Sequence, residues 1–223
     1  MNSKLAVFDL DHTLLDGDSD VLWCDFLMDR GLLDRAVFEP RNLAMAADYK
    51  AGSVSAQEFC EFYVGTLAGR SAAEWQAWRA EFLVRCVRPR LVAAGRACID
   101  AHRRAGDLLV LSTATNRFIT ELTAAELGFE HLLATECDVG ADGRFSGAVQ
   151  GTLNMREGKV VRLREWLAAR ALDLDHLDSV FYSDSINDLP LLMAVRRAVA
   201  VDPDPRLARE AEQRGWPVLR WRA

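Results

Sequence analysis

Two short runs hold most of the side chains in this sequence that are able to do chemistry together. The first is Asp9-Leu10-Asp11-His12-Thr13 and the second is Ser183-Asp184-Ser185-Ile186-Asn187-Asp188. Between them lie a hydroxyl pair, Ser112-Thr113, and a lone lysine, Lys159. Taken singly, each has a plain reading. Asp and Ser after an apolar run often cap the next helix, and most lysines are solvated. Taken together they describe a site for anions and a cation. Four carboxylates at one mouth (Asp9, Asp11, Asp184 and Asp188) would repel and raise one another's pKa values. A hard cation with oxygen ligands resolves that conflict, and Mg²⁺ is the common choice where phosphate is bound as well.

Such a site needs elements that bring distant residues together. Leu5 to Asp9 is a short apolar run and reads as a buried strand. Asp107 to Thr113 and Val180 to Ser183 read as two more, and Ala198 to Val201 as a further strand. Pro89 fits the first position of a helix running to about Arg104 and closed by Gly106. Further helices are predicted from Arg117 to Leu127, Gly158 to Ala171, Leu189 to Val195 and Leu207 to Arg214, and Asp142-Gly143 signals a hairpin between Thr135 and Gly151. This alternation predicts an α/β fold, a Rossmann-like parallel sheet core with helices on both faces. Ligands in such sheets sit beyond the carboxyl ends of the strands, where the residues named above fall.

From Leu15 to Arg88 the pattern is helical throughout. Four or so helices are expected, one opened by the capping box Ser71-Ala72-Ala73-Glu74. That stretch is too long for one crossover. It predicts an inserted all-helical cap, residues 15–88, on a core of residues 1–14 and 89–223. Trp23, Trp75 and Trp78 are expected to pack inside it.

Half of the 223 residues are hydrophobic and 27% are charged, with no low-complexity tract, which excludes global disorder. The net charge of −6 argues against nucleic acid or an anionic membrane as partner. A phosphate substrate stays compatible, because a bound cation reverses the sign locally. Five scattered cysteines without a C-x-x-C pair point to a reducing compartment. No stretch reaches transmembrane length, and the first apolar run is too short for a signal peptide. A cytoplasmic protein is expected, as a monomer or small homo-oligomer.

The order D-x-D-x-T, a hydroxyl after an apolar strand, a lysine, then D-S-x-N-D resembles the haloacid dehalogenase-like hydrolases. The helical insertion directly after the first motif is similar to the subgroup that includes phosphoserine phosphatase. The resemblance implies a Mg²⁺-dependent phosphomonoester hydrolase acting through an aspartyl-phosphate on a small phosphorylated metabolite. It implies Asp9 as nucleophile and Asp11 as the acid that protonates the leaving group and later deprotonates water. Asp9, Asp184 and the Asp11 main-chain carbonyl would hold Mg²⁺, with Asp188 anchoring the metal through water or orienting its neighbours. Ser185 and Asn187 complete that motif. Thr113, or Ser112 if the strand ends one residue earlier, would bond a phosphoryl oxygen, and Lys159 would neutralise charge in the transition state.

Departures from the pattern bear on the substrate. His12 stands where relatives often carry Gly or Ser and is expected to face away from the chemistry. Ser183 replaces a frequent Gly, a change expected to be harmless. Phosphoserine-specific relatives carry a glutamate near the position of Asp18 and a cap arginine where Glu61 falls here. With 12 acidic and 8 basic residues between Leu15 and Arg88, the cap invites a cationic substrate read by Asp18 and Glu61, an amino-alcohol phosphate such as histidinol phosphate. The alternatives are a phosphoserine phosphatase, a phosphotransferase using the same aspartyl-phosphate, and a phospho-acceptor signalling domain.

Overall fold

The computed structural model describes residues 4–51 and 53–222. In chain order the elements are β1 (Leu5–Phe8), α1 (Ser19–Asp29), α2 (Arg35–Ala51), α3 (Ala56–Val64), α4 (Ala72–Phe82), α5 (Ala93–Ala105), β2 (Leu108–Asn116) and α6 (Arg117–Glu126). They continue with β3 (His131–Val139), β4 (Phe145–Gln150), α7 (Glu157–Ala168), β5 (Ser179–Ser183), α8 (Leu189–Ala194), β6 (Arg197–Val201), α9 (Pro205–Arg214) and β7 (Val218–Leu219). The strands form one sheet in the order β4-β3-β2-β1-β5-β6-β7. Every pairing is parallel except β3 with β4. This is the predicted α/β architecture.

Strand β1 sits in the middle of the sheet and is wholly buried. Its side chains alternate between two cores, as the period of two requires. Ala6 and Phe8 join one cluster, with Phe8 stacked on Tyr182 at 4.7 Å between ring centroids. Leu5 and Val7 join the other, under α7, α8 and α9. Fully burying a Leu, Val or Phe side chain contributes about 1.5–3 kcal/mol, so β1 is held from both faces. The residue that follows it, Asp9, donates its N–H to the Tyr182 carbonyl at 2.9 Å and inherits that fixed position.

The segment between β1 and β2 is helical, and the Ser71–Glu74 capping box is present. Its helices do not form an isolated core. Trp23, Phe26, Trp75 and Phe82 belong to the same cluster as Phe8 and Leu111, with Trp78 packed at its margin. Cys24, Phe59, Cys60 and Tyr63 pack with Met155 from the loop before α7.

Three boundaries differ from expectation. Pro89 lies in a single 3-10 turn, Arg88–Arg90, and α5 starts only at Ala93. The reason is long-range. Leu91 bridges to Leu15, and the Val92 N–H bonds the Leu14 carbonyl at 2.9 Å, drawing the chain back beside the end of β1. Strand β2 runs to Asn116, past the expected Thr113, with an irregularity between Ser112 and Asn116. Strand β3 begins at His131, because its first half pairs in parallel with β2 before the hairpin starts. The two-residue β7 carries too little pattern to be foreseen.

Candidate active site

Beyond the carboxyl ends of β1, β2 and β5 lies one cavity. Asp9, Asp11, Asp184 and Asp188 all line it, with Lys159, Ser185 and Asn187. A tight turn places the first motif: the N–H groups of Thr13, Leu14 and Leu15 all bond the Leu10 carbonyl. That turn buries Thr13, whose Oγ1 lies 3.1 Å from Asp9 Oδ2 and 3.1 Å from Asp184 Oδ1, and accepts the Asp184 N–H at 3.1 Å. One hydroxyl proton is shared between two carboxylate oxygens from strands far apart in sequence.

Lys159 stands in the first turn of α7 and is almost wholly buried. Its Nζ donates to Asp9 Oδ1 at 2.8 Å and to Asp188 Oδ2 at 2.8 Å. Asp188 also accepts from Ser183 Oγ at 2.7 Å, so the serine at that position fixes the carboxylate that holds the lysine. Burial pushes the Asp9 carboxyl up to about 7; Lys159 pulls it back, and Asp188 and Asp11 add to the rise. Burial likewise raises Asp184, with Asp9 and Asp188 contributing. For Lys159 burial opposes the charge, but Asp188 and Asp9 outweigh it and the ammonium is held.

The carboxylate of Asp11 points elsewhere. Its Oδ1 accepts the Ser19 N–H at 2.7 Å, at the start of α1. Its Oδ2 faces Thr115 Oγ1 at 3.0 Å and Thr113 Oγ1 at 3.3 Å. Thr115 Oγ1 also lies 3.1 Å from Asp20 Oδ2. Asp18 caps α1 by accepting the Val21 N–H at 3.0 Å. Lost solvation pushes Asp18 up to about 7, with the Asp11 charge adding to it.

The four acids share a cavity, but they do not surround one point. Asp188 is committed to Lys159 and Asp11 to α1 and β2. Among the described residues no three acidic, histidine or cysteine side chains gather in metal-binding geometry. What fits a cation is the pair Asp9 and Asp184, whose oxygens converge on the Thr13 hydroxyl and whose pKa values are raised first by burial and then by neighbouring carboxylates. Two carboxylates, a main-chain oxygen and waters make a donor set of the kind Mg²⁺ takes.

Other expected residues fall in varied places. Ser112 does not line the cavity; its Oγ accepts from Asn154 Nδ2 at 3.0 Å. Thr113 is fully buried behind Ala114 and Thr115, which form the wall at this strand end. Glu61 lies outside the cavity, its carboxylate accepting from Gln57 at 2.8 Å one turn earlier. Helix α3 turns Phe59, Cys60 and Tyr63 inward, which sends Glu61 to another face. His12, expected to face away, lines the cavity while remaining exposed, in a left-handed turn at φ 57°.

Four lining residues are not singled out by the sequence, namely Thr115, Asp20, Tyr49 and Arg156, and Thr13 stands there only as the last residue of the first motif. Thr115 follows Thr113 at the strand period of two, a usable signal once β2 is known to extend. Asp20 and Tyr49 come from the helical insertion, and Asn187 Nδ2 donates to the Tyr49 hydroxyl at 3.1 Å, tying α2 to the last motif. Arg156 precedes α7 with φ 50° and lines the cavity beside Lys159.

A strand-end cavity with these motifs, on a parallel sheet carrying a helical insertion after β1, defines a hydrolase class. The family model of the haloacid dehalogenase-like hydrolases matches residues 6–193, and the chain belongs to that family. It is similar to the histidinol-phosphatase of Neisseria meningitidis, 38% identical over 98% of this chain and 99% of that protein. It is 32% identical to a phosphoserine phosphatase of Mycobacterium tuberculosis, over 97% of this chain and 70% of that one. A crystal structure of a Bordetella pertussis protein of unknown function superposes with a TM-score of 0.93 at 44% identity, covering 98% of this chain and 99% of the other.

Proposed function

We propose that this enzyme hydrolyses a small phosphomonoester through a phosphoryl group carried on Asp9. The observation that supports it most is the buried clamp on Asp9, with Lys159 on one carboxylate oxygen and the Thr13 hydroxyl, shared with Asp184, on the other. A carboxylate held this way has its direction set before substrate arrives, the main contribution a protein can make to phosphoryl transfer. Asp9, Asp184 and the main-chain carbonyl of Asp11 would hold Mg²⁺, which when bound supplies charge neutralisation for the phosphoryl oxygens.

In the first step an oxygen of Asp9 bonds to phosphorus while the bond from phosphorus to the alcohol oxygen breaks. Asp11 delivers a proton to that oxygen. In the second step water attacks phosphorus, Asp11 takes its proton, and Asp9 leaves as a carboxylate with inorganic phosphate as product. Lys159 compensates the negative charge that builds on Asp9 and the phosphoryl oxygens. We assign Thr113 to a phosphoryl oxygen, which requires its hydroxyl to turn from Asp11 when substrate enters. Ser185 and Asn187 shape the rim. No described helix is long and apolar enough to cross a membrane, and five free cysteines support a reducing, cytoplasmic setting.

Histidinol phosphate is the substrate we favour, because the Neisseria relative matches along nearly its whole length and the insertion supplies Asp18 to the cavity. Phosphoserine is the second reading, through the mycobacterial relative. A panel of metabolite phosphates assayed with and without Mg²⁺ tests the proposal. Phosphate release that needs Mg²⁺ and vanishes in Asp9→Asn is expected. Equal release from that variant would overturn it.

A further inference from the structure

Of the acidic side chains lining the cavity, Asp20 alone has a fully buried oxygen without a hydrogen-bond partner among the described residues. Asp9 has Lys159 and Thr13. Asp11 has the Ser19 N–H and two threonine hydroxyls. Asp184 has Thr13, Asp188 has Lys159 and Ser183, and Asp18 has the Val21 N–H. Asp20 is the exception. It is 3% exposed, its Oδ2 faces Thr115, and its Oδ1 has no partner at all. A buried acceptor left without a partner costs about 1–3 kcal/mol, and more when it is charged. The fold tolerates that cost at a residue which lines the cavity.

We propose that Asp20 is the specificity-determining residue for a cation on the substrate: a protonated amine or imidazolium on the esterified alcohol donates a hydrogen bond to Oδ1. This rests on the phosphatase reading above. Asp18, Asp20 and Asp11 form one acidic wall, and no basic side chain is among the charged groups acting on Asp18 or Asp20. A neutral N–H or O–H donor would satisfy the oxygen but not the accumulated charge. A metal is the weaker match, since among the described residues no three candidate ligands gather there. Lys159, paired with Asp9 and Asp188, and Arg156 also line the cavity and are its cationic groups. A phosphate handled at Asp9 and an ammonium at the Asp18–Asp20 side would suit a molecule carrying both. Of the two acids expected to meet a cation, Asp18 lines the cavity and Glu61 lies outside it; Asp20 adds a second carboxylate beside Asp18.

The test compares phosphoethanolamine and histidinol phosphate with propyl phosphate and p-nitrophenyl phosphate, in the parent and in Asp20→Asn. The amide keeps the shape and an acceptor for Thr115 while removing the charge. We expect the parent to prefer the amines. We expect the ratio of kcat/KM for an amine phosphate to that for propyl phosphate to fall about 10- to 100-fold in the variant, mainly through KM, as loss of one charged hydrogen bond implies. An unchanged ratio would overturn the proposal, because a purely structural role lowers all four substrates together. If the variant does not fold, the parent still decides: no preference for phosphoethanolamine over propyl phosphate overturns the inference while hydrolysis of both leaves the phosphatase reading standing. Hydrolysis of none of the four defeats that reading itself.

Discussion

Replacing Lys159 with methionine isolates the clamp on Asp9. Methionine fills much the same space but leaves two buried carboxylates without their cation. The Lys159 ammonium lies 2.8 Å from both Asp9 and Asp188 and its side chain is 3% exposed. Each charge-assisted bond is worth about 1.5–3 kcal/mol, and breaking a buried pair costs about 3–5 kcal/mol. The two ranges overlap, so a loss of about 3–5 kcal/mol is expected in metal-free buffer at pH 8. For a chain of this size each kcal/mol moves Tm by about 2–4 °C, which places the drop on the order of 6–20 °C. The sign of its pH dependence follows from Asp9. Its folded carboxyl is raised from 3.8 to about 7, so its protonation favours the folded state at low pH, and that contribution is lost as pH rises through about 7. Removing Lys159 lifts the upper limit further. The difference between parent and variant is therefore largest above pH 7 and smaller at pH 5. Urea unfolding of both proteins at the two pH values measures it. A loss under about 1 kcal/mol at pH 8, or a larger loss at pH 5, would refute the clamp.

Other outcomes follow from the same geometry. Metal-free parent protein should lose stability between about pH 4 and 7 as Asp9 ionises in its buried position, and Mg²⁺ at pH 8 should raise Tm by binding the folded state; differential scanning fluorimetry reads both. Thr13→Val removes the hydroxyl shared by Asp9 and Asp184. It should cost about 1–3 kcal/mol and change the Mg²⁺ concentration giving half-maximal rate, which a metal titration checks. Asp11→Asn should lower turnover by about 10²–10⁴-fold while keeping the Mg²⁺ thermal shift, since its side chain bonds Ser19 and the threonines rather than Asp184.

Much of this was legible in the residues. Short apolar runs leading into Asp9, Thr113 and Ser183 suit the strands of a buried parallel sheet, and their order set the mouth where the acids meet. What escaped the reading depends on contacts between distant segments. Pro89 looks like a helix start, but the Leu15–Leu91 bridge delays the helix to Ala93. Glu61 looked available to substrate, yet helix phase decides its face, and α3 turns Phe59, Cys60 and Tyr63 inward instead. Asp20 is an ordinary first-turn acid by sequence. Only the packing of α1 against Thr115 reveals it as a buried carboxylate with an empty oxygen. The resemblance implies that Asp188 anchors a metal through water or orients its neighbours; that the neighbours it holds are Lys159 and Ser183 is a tertiary fact.

The most direct test is to catch the phosphoryl group on the protein. Asp11→Asn is mixed with substrate and Mg²⁺, quenched in acid during turnover, digested and analysed by mass spectrometry. The account predicts one added phosphoryl group on the peptide containing Asp9, lost on treatment with hydroxylamine. A label on another residue, or phosphate release with no labelled peptide at any time of quenching, would contradict it.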